Sequence, residues 1–90
     1  MSKFVETMSE LGYILESQEE KKITYKKRAR FSELYLILDL EQKYINPVLV
    51  PISLVIRSSD LVSMYEEFKL VRKDAKEIRK LSGYTYEILN

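Results

Sequence analysis

The clearest secondary-structure signal in this 90-residue chain is the segment ELYLILDL, residues 33–40. Its even-numbered positions are all leucine: Leu34, Leu36, Leu38 and Leu40. Residues two apart share a face of an extended strand, so these leucines form one apolar face. Tyr35 and Ile37 lie on the opposite face, which is therefore also apolar. The pattern predicts a strand over residues 33–40 that other elements can cover on both sides.

The residues before this segment predict a β-hairpin. Residues 22–31 alternate strictly, and one face holds Lys22, Thr24, Lys26, Arg28 and Arg30. The other face holds Ile23, Tyr25, Lys27, Ala29 and Phe31. Polar residues near positions 19–21 separate this strand from one over residues 13–18, and we expect them to form the turn. A further strand region is predicted over residues 44–56, where Pro47 and Pro51 favour the edge of a sheet.

Helical spacing appears at both ends of the chain. A short helix is predicted over residues 3–11 and ended by Gly12. A long helix is predicted over residues 60–82, with Ser59 as its N-cap. Its apolar stripe consists of Leu61, Met64, Phe68, Val71, Ala75 and Ile78. Its acidic side chains fall on a separate, polar side: Glu66, Glu67, Asp74 and Glu77.

Together these elements predict one α+β domain over residues 1–90. We expect an antiparallel β-meander of three to five strands, with the short N-terminal helix and the long C-terminal helix packed on one face. Residues 84–90 alternate again and are a candidate for a short final strand. The stripe of the long helix also fits three heptads, so a homodimer seam is the alternative to packing on the sheet.

Composition narrows the chemistry. The chain has a net charge of +1, 46% apolar residues, and neither histidine nor cysteine. Thiol and imidazole catalysis, disulfides and the usual zinc sites are therefore excluded. An acid-x-Lys element lies within Asp39–Lys43, but a hairpin turn explains it fully. We expect a protein that is not an enzyme and binds no cofactor or metal.

The sequence also predicts where in the cell the protein is located. Its first residues lack the basic start and apolar run of a signal peptide. The longest apolar run, residues 47–56, contains two prolines and is too short to span a bilayer. We expect a cytoplasmic protein without a membrane partner, either a monomer or a homodimer.

Charged and tyrosine side chains supply the candidate binding residues. The first basic group is the outer face of the second strand, Lys22, Lys26, Arg28 and Arg30. The second is a row on the long helix, Lys69, Lys73, Lys76 and Lys80. Turn and tail tyrosines are further candidates: Tyr44, Tyr84 and Tyr86. An alternative acidic surface consists of Glu16, Glu19 and Glu20. For both basic groups the favoured explanation is a solvated surface: a solvated strand face for the first and a solvated helix flank for the second.

Two functions compete. The first is a small protein-binding module that uses a charge-patterned surface edged by tyrosines. The second is a small nucleic-acid-binding protein in which either basic group follows a phosphate backbone. The sequence lacks the aromatic signature of common RNA-binding sheets and a helix-turn-helix pair, so the protein-binding module is favoured.

The chain is rich in Lys, Ile, Leu, Glu and Tyr and has only two glycines. In this composition and in its helix–meander–helix plan, it resembles small accessory proteins of phages and mobile elements of low-GC bacteria. That class includes anti-CRISPR proteins and other inhibitors of host defence. The resemblance rests on composition and on the order of the elements, and no motif residues support it. It implies a host protein as the partner and an inhibitor or adaptor as the function.

Overall fold

The structure is a computed structural model that describes residues 3–52 and 57–82. Its elements are α1 (Lys3–Glu10), β1 (Ile14–Gln18), β2 (Lys22–Arg28), β3 (Ser32–Asp39), β4 (Tyr44–Pro51) and α2 (Ser58–Ser82). The four strands form an antiparallel meander in the order β1-β2-β3-β4. This confirms the predicted α+β fold. The candidate final strand over residues 84–90 and the end of the predicted fourth strand, residues 53–56, lie outside the described residues.

The core lies between α2 and one face of the sheet. Leu34, Leu36 and Leu38 of β3 are buried on this face, as their alternation predicted. The helix packs over β3 and β4 and buries the predicted stripe from its second turn onward: Met64, Val71, Ala75 and Ile78. Leu61, the first residue of that stripe, is 55% exposed. The stripe thus packs against the protein's own sheet. The sheet occupies the position that a second copy of the helix would take in the homodimer alternative.

The end of α1 is set by Gly12, as predicted. Its φ of 92° lies in the left-handed region that favours glycine. The Tyr13 amide donates to the Met8 carbonyl at 2.9 Å, and the Gly12 amide donates to the Ser9 carbonyl at 3.0 Å. These two bonds form a Schellman motif, which satisfies the last carbonyls of α1 and turns the chain towards β1.

The second strand ends earlier than the alternation predicted. The Ala29 amide donates to the Ser32 carbonyl at 2.8 Å and closes a tight turn, so β2 stops at Arg28. The Glu67 carboxylate accepts from the Phe31 amide at 3.1 Å and also from the Ser32 hydroxyl. This contact from α2 holds the turn against the helix. The prediction that Arg30 continues the basic strand face is therefore wrong.

The start of α2 also differs from the prediction. The helix begins at Ser58, and Arg57, not Ser59, occupies the N-cap position. The Asp60 carboxylate accepts from the Arg57 amide at 3.2 Å, while the Asp60 amide donates to the Arg57 carbonyl at 2.9 Å. Asp60, at the third helical position, thus caps the helix by accepting a hydrogen bond from the backbone amide of the N-cap residue. Its negative charge also lies at the positive end of the helix dipole.

Both edges of the sheet disfavour the addition of another strand. On β4, the Ile52 amide donates to the Phe31 carbonyl at 3.1 Å, so the odd-numbered amide positions face outward. Pro47 and Pro51 occupy two of these positions and remove donors from the outer edge, as their predicted edge location requires. On β1, the pairing with β2 shifts between Leu15 and Ser17, which interrupts the other edge.

Candidate binding surfaces

The sheet face opposite α2, here called the open face, is built by four rows of cross-strand neighbours. Its central row crosses all four strands and consists of Ile14, Lys26, Tyr35 and Val48. The next row towards the Asp39 end of β3 consists of Ser17, Thr24, Ile37 and Asn46. The outer rows are Arg28, Glu33 and Val50 at one end and Lys22, Asp39 and Tyr44 at the other. The two middle rows therefore mix four apolar side chains with four polar ones, and most of the charged side chains lie in the end rows.

The apolar side chains of the open face remain accessible. Ile14 is 66% exposed and Val50 is 42% exposed, while Tyr35, Ile37 and Val48 are half-buried. A sheet face that meets only water usually carries polar residues at alternate positions. Here β3 and β4 present five aromatic or β-branched side chains beside three polar ones, and no helix among the described residues covers them.

The basic face of β2 is largely neutralised by nearby carboxylates. Lys26 Nζ lies 2.8 Å from Glu33 Oε2, diagonally across the β2–β3 ladder, in which Glu33 lies opposite Arg28. The hydrogen bond between them raises the pKa of Lys26 and lowers the pKa of Glu33. The ammonium group of Lys22 lies 3.6 Å from the Glu19 carboxylate. Lys21, in the turn before β2, lies 3.7 Å from Glu41.

The remaining predicted residues near the sheet are scattered. Arg28 is exposed beside Glu33 on the open face, whereas Arg30 lies in the β2–β3 turn with its guanidinium 5.3 Å from the Phe31 ring centroid. Tyr44 is half-buried at the start of β4. Tyr84 and Tyr86 lie outside the described residues.

The acidic candidates surround the β1–β2 hairpin. Glu16, Glu19 and Glu20 are all exposed. Glu19 pairs with Lys22, and the charge of Glu16 contributes to the raised pKa of Lys26. Glu16 and Glu19 thus offset basic charge on the neighbouring strand, as expected for acids across a hairpin.

The basic row on α2 has a different environment. Lys69, Arg72, Lys73 and Lys76 line one shallow cleft of about 290 Å³ on the helix. Lys69 lies 3.4 Å from Glu66, and Lys80, beyond the cleft, lies 3.9 Å from Glu77. Within residues 5–52 and 57–80, no carboxylate lies within ion-pair distance of Arg72, Lys73 or Lys76. The structure therefore groups three cations without a carboxylate in ion-pair range on α2, whereas two of the predicted β2 cations, Lys22 and Lys26, have one.

The two basic groups do not form one surface. The β2 cations lie on the open face, because their partners across the ladder are Tyr35, Glu33 and Asp39. The helix packs against the opposite face, over the buried leucines of β3. The sheet therefore separates the α2 cations from the β2 cations, and one phosphate track cannot use both groups.

A buried polar cluster joins α2 to the start of β1. The Tyr13 hydroxyl donates to the Asp74 carboxylate at 2.9 Å, and the two residues are only 3% and 4% exposed. Lys27 Nζ lies 5.4 Å from the centroid of the Tyr13 ring. Burial raises the pKa of Asp74, although the Tyr13 hydrogen bond and the charges of Lys27 and Lys73 oppose that shift. Burial and the nearby Asp74 also raise the pKa of Tyr13. The prediction that Asp74 lies on the polar side of α2 is therefore wrong.

The acid-x-Lys element has a structural role. Asp39 Oδ1 accepts from the backbone amides of Glu41 and Gln42 at 3.0 and 2.8 Å. Lys43 ends the turn with a φ of 57° and donates its amide to the Asp39 carbonyl. The carboxylate of Asp39 is thus used to shape the β3–β4 turn. In the described part of the chain, no group of three acidic side chains is placed to hold a metal ion.

The predicted sites included the cations of the open face and Tyr44 but not its apolar side chains, although a signal for these was present. Tyr35 and Ile37 make the second face of β3 apolar, but the sequence does not show whether a helix covers that face. The described helices also include none long and apolar enough to cross a membrane. The chain matches no protein-family model, no curated protein and no solved structure.

Proposed function

We propose that this chain is a small, non-enzymatic protein-binding module whose docking surface is the open face of the sheet. The observation that carries the proposal is the central row, in which Ile14, Tyr35 and Val48 present apolar surface that no described helix covers. Accessible apolar patches with polar surroundings are typical of protein-interaction sites.

The shape and chemistry of the open face favour a protein as its occupant. Small-molecule sites are usually concave, whereas this face is a sheet surface built of short cross-strand rows. A protein interface combines an apolar centre with a polar rim and is enriched in tyrosine. The apolar side chains of the two middle rows, the charged side chains of the end rows, Tyr35 and Tyr44 fit this description. The partner should therefore offer an apolar patch flanked by charges of both signs.

Two other modes of binding fit the open face less well. A partner strand would need a free sheet edge, but prolines on β4 and a bulge on β1 interrupt both edges. A nucleic acid would need uncompensated cations, but Lys22 and Lys26 lie within 4 Å of carboxylates. The open face is therefore better suited to face-to-face contact with a partner protein than to strand addition or nucleic-acid binding.

We further propose that the partner is a host protein and that binding inhibits or recruits it in the cytoplasm. This part of the proposal rests on the resemblance to accessory proteins of phages and mobile elements. Such a function needs no catalytic group. In this 90-residue chain one face of the sheet packs in the core, and the other face would bind the partner.

Site-specific photo-crosslinking tests the proposal. A benzophenone amino acid is placed at Val50, on the open face, or at Glu77, an exposed control position on α2. Each variant is expressed as the full chain in cells of its natural source, irradiated and analysed by mass spectrometry. We expect one discrete adduct from position 50 that Ile14→Lys weakens, and no such adduct from position 77. Absence of an adduct from position 50, or identical adducts from both positions, would overturn the proposal.

A further inference from the structure

The geometry points to a second binding site on the outer side of α2, which takes the phosphate backbone of a nucleic acid without reading its sequence. Its cationic groups are Lys69, Arg72, Lys73 and Lys76, which line one open cleft. The site is independent of the open face, since the sheet and the core lie between them.

The cations of the α2 cleft differ from those near β2 in how many of them have a carboxylate close by. Most lysines near β2 have a carboxylate close by: Lys21 at 3.7 Å, Lys22 at 3.6 Å and Lys26 at 2.8 Å. Among the described residues, Lys73 and Lys76 have no carboxylate within that range. An anion at the α2 cleft therefore meets three cations, Arg72, Lys73 and Lys76, that have no carboxylate in ion-pair range among the described residues, beside Lys69, which lies 3.4 Å from Glu66.

The spacing of the cations fits successive phosphates. Positions 69 and 76 are seven residues apart, which corresponds to about 10 Å along a helix axis. Phosphates of one duplex strand follow each other every ~3.4 Å along the duplex axis, so the cleft spans about three of them. Arg72 is held over the Phe68 ring, with its guanidinium 5.8 Å from the ring centroid. This contact orients the one cation that is half-buried.

The lining favours a phosphate backbone over an acidic protein. Among the described residues, the side chains that line the cleft are all cationic. Protein interfaces normally place apolar side chains at their centre. Contacts from these cations to phosphate oxygens carry no sequence information, so binding through them should be independent of base sequence.

Fluorescence anisotropy with a labelled 20-base-pair duplex tests the site. Three phosphate contacts predict a slope of about −2.7 in log K against log salt concentration, which is a ~40-fold loss of affinity between 50 and 200 mM salt. The variant Lys73→Gln/Lys76→Gln should reduce the slope to about −0.9, a ~3-fold loss over the same range. A second duplex of unrelated sequence should bind with the same affinity.

The matched control removes the same charge from paired lysines. The variant Lys21→Gln/Lys22→Gln changes two exposed cations that lie near Glu41 and Glu19, and it should leave the slope unchanged. Far-UV circular dichroism verifies that both double variants are folded. No binding at 50 mM salt, equal effects of the two double variants, or equally tight binding of labelled poly-glutamate would each overturn the inference.

Discussion

The hydrogen bond between Tyr13 and Asp74 makes the stability of the fold dependent on one buried hydroxyl. Replacing Tyr13 with phenylalanine keeps the ring in the core and removes only the donor to Asp74, which now lies 2.9 Å away. Since Asp74 is 4% exposed, water does not readily replace that donor. A hydrogen bond to a charged group contributes about 1.5–3 kcal/mol, so we expect Tyr13→Phe to lower the free energy of unfolding at pH 7 by ~2 kcal/mol.

The loss should depend on pH. The folded-state pKa of Asp74 is raised above its ordinary value, so the folded chain keeps this proton where the unfolded chain has released it. The free energy of unfolding therefore falls as the pH rises from below about 4 through the folded-state pKa. The Tyr13 hydrogen bond opposes the raised pKa, so its removal raises the pKa further. At pH 4 a larger share of the Asp74 carboxyl is protonated, and the loss should shrink to ~1 kcal/mol.

Urea denaturation followed by far-UV circular dichroism at pH 4 and pH 7 measures both values. Tyr65→Phe is the matched control, because Tyr65 is 62% exposed and loses a hydroxyl that water can solvate. Its free energy of unfolding should stay within about 0.5 kcal/mol of the unmodified chain. A loss below ~0.5 kcal/mol for Tyr13→Phe at pH 7 would refute the reasoning, as would an equal loss at the two pH values.

Three further substitutions test the packing that presents the open face, each by urea denaturation at pH 7. Glu67→Ala leaves the buried Ser32 hydroxyl and the adjacent turn amide without their acceptor and should cost about 1–2 kcal/mol. Asp60→Ala removes the acceptor of the Arg57 amide at the start of α2 and should cost about 0.5–1 kcal/mol. Leu36→Ala opens a cavity at a fully buried position and should cost about 2–5 kcal/mol. Changes below ~0.3 kcal/mol in any of the three would contradict the assigned contact.

The periodicity of the chain was sufficient to predict the strands and the meander. The period of two in residues 33–40 became a strand with Leu34, Leu36 and Leu38 buried against α2. The stop of α1 at Gly12 could also be predicted, because a positive φ is a local property that favours glycine. Predictions succeeded where the deciding interaction lies within a few residues.

Predictions failed where the deciding partner is distant in sequence. Helical spacing alone places Asp74 among the acids of α2, but Tyr13, 61 residues away, satisfies its carboxylate in the core. Likewise, alternation extends the basic strand to residue 31, but the turn bonded to Glu67 ends it at Arg28. A contact between remote residues leaves no periodic signal in either segment.

The candidate sites, too, could be predicted only in part. Both basic groups were visible as patterns, but their electrostatic difference depends on cross-strand pairs such as Lys26 with Glu33. The open face was only half visible, since the apolar character of Tyr35 and Ile37 does not show which face the helix covers. In the three-dimensional arrangement, the β2 cations share the open face with accessible apolar side chains such as Ile14 and Val48.

The most direct test of the open face compares two pairs of apolar-to-lysine changes in binding to the crosslinked partner. Ile14→Lys/Val50→Lys alters the open face, whereas Leu61→Lys/Val62→Lys alters equally accessible apolar residues on α2. Affinity of the purified full chain is measured by biolayer interferometry. We expect about a 10-fold or greater loss for the first pair and less than a 2-fold change for the second. Equal losses, or a loss only with the helix pair, would contradict the assignment of the open face as the docking surface.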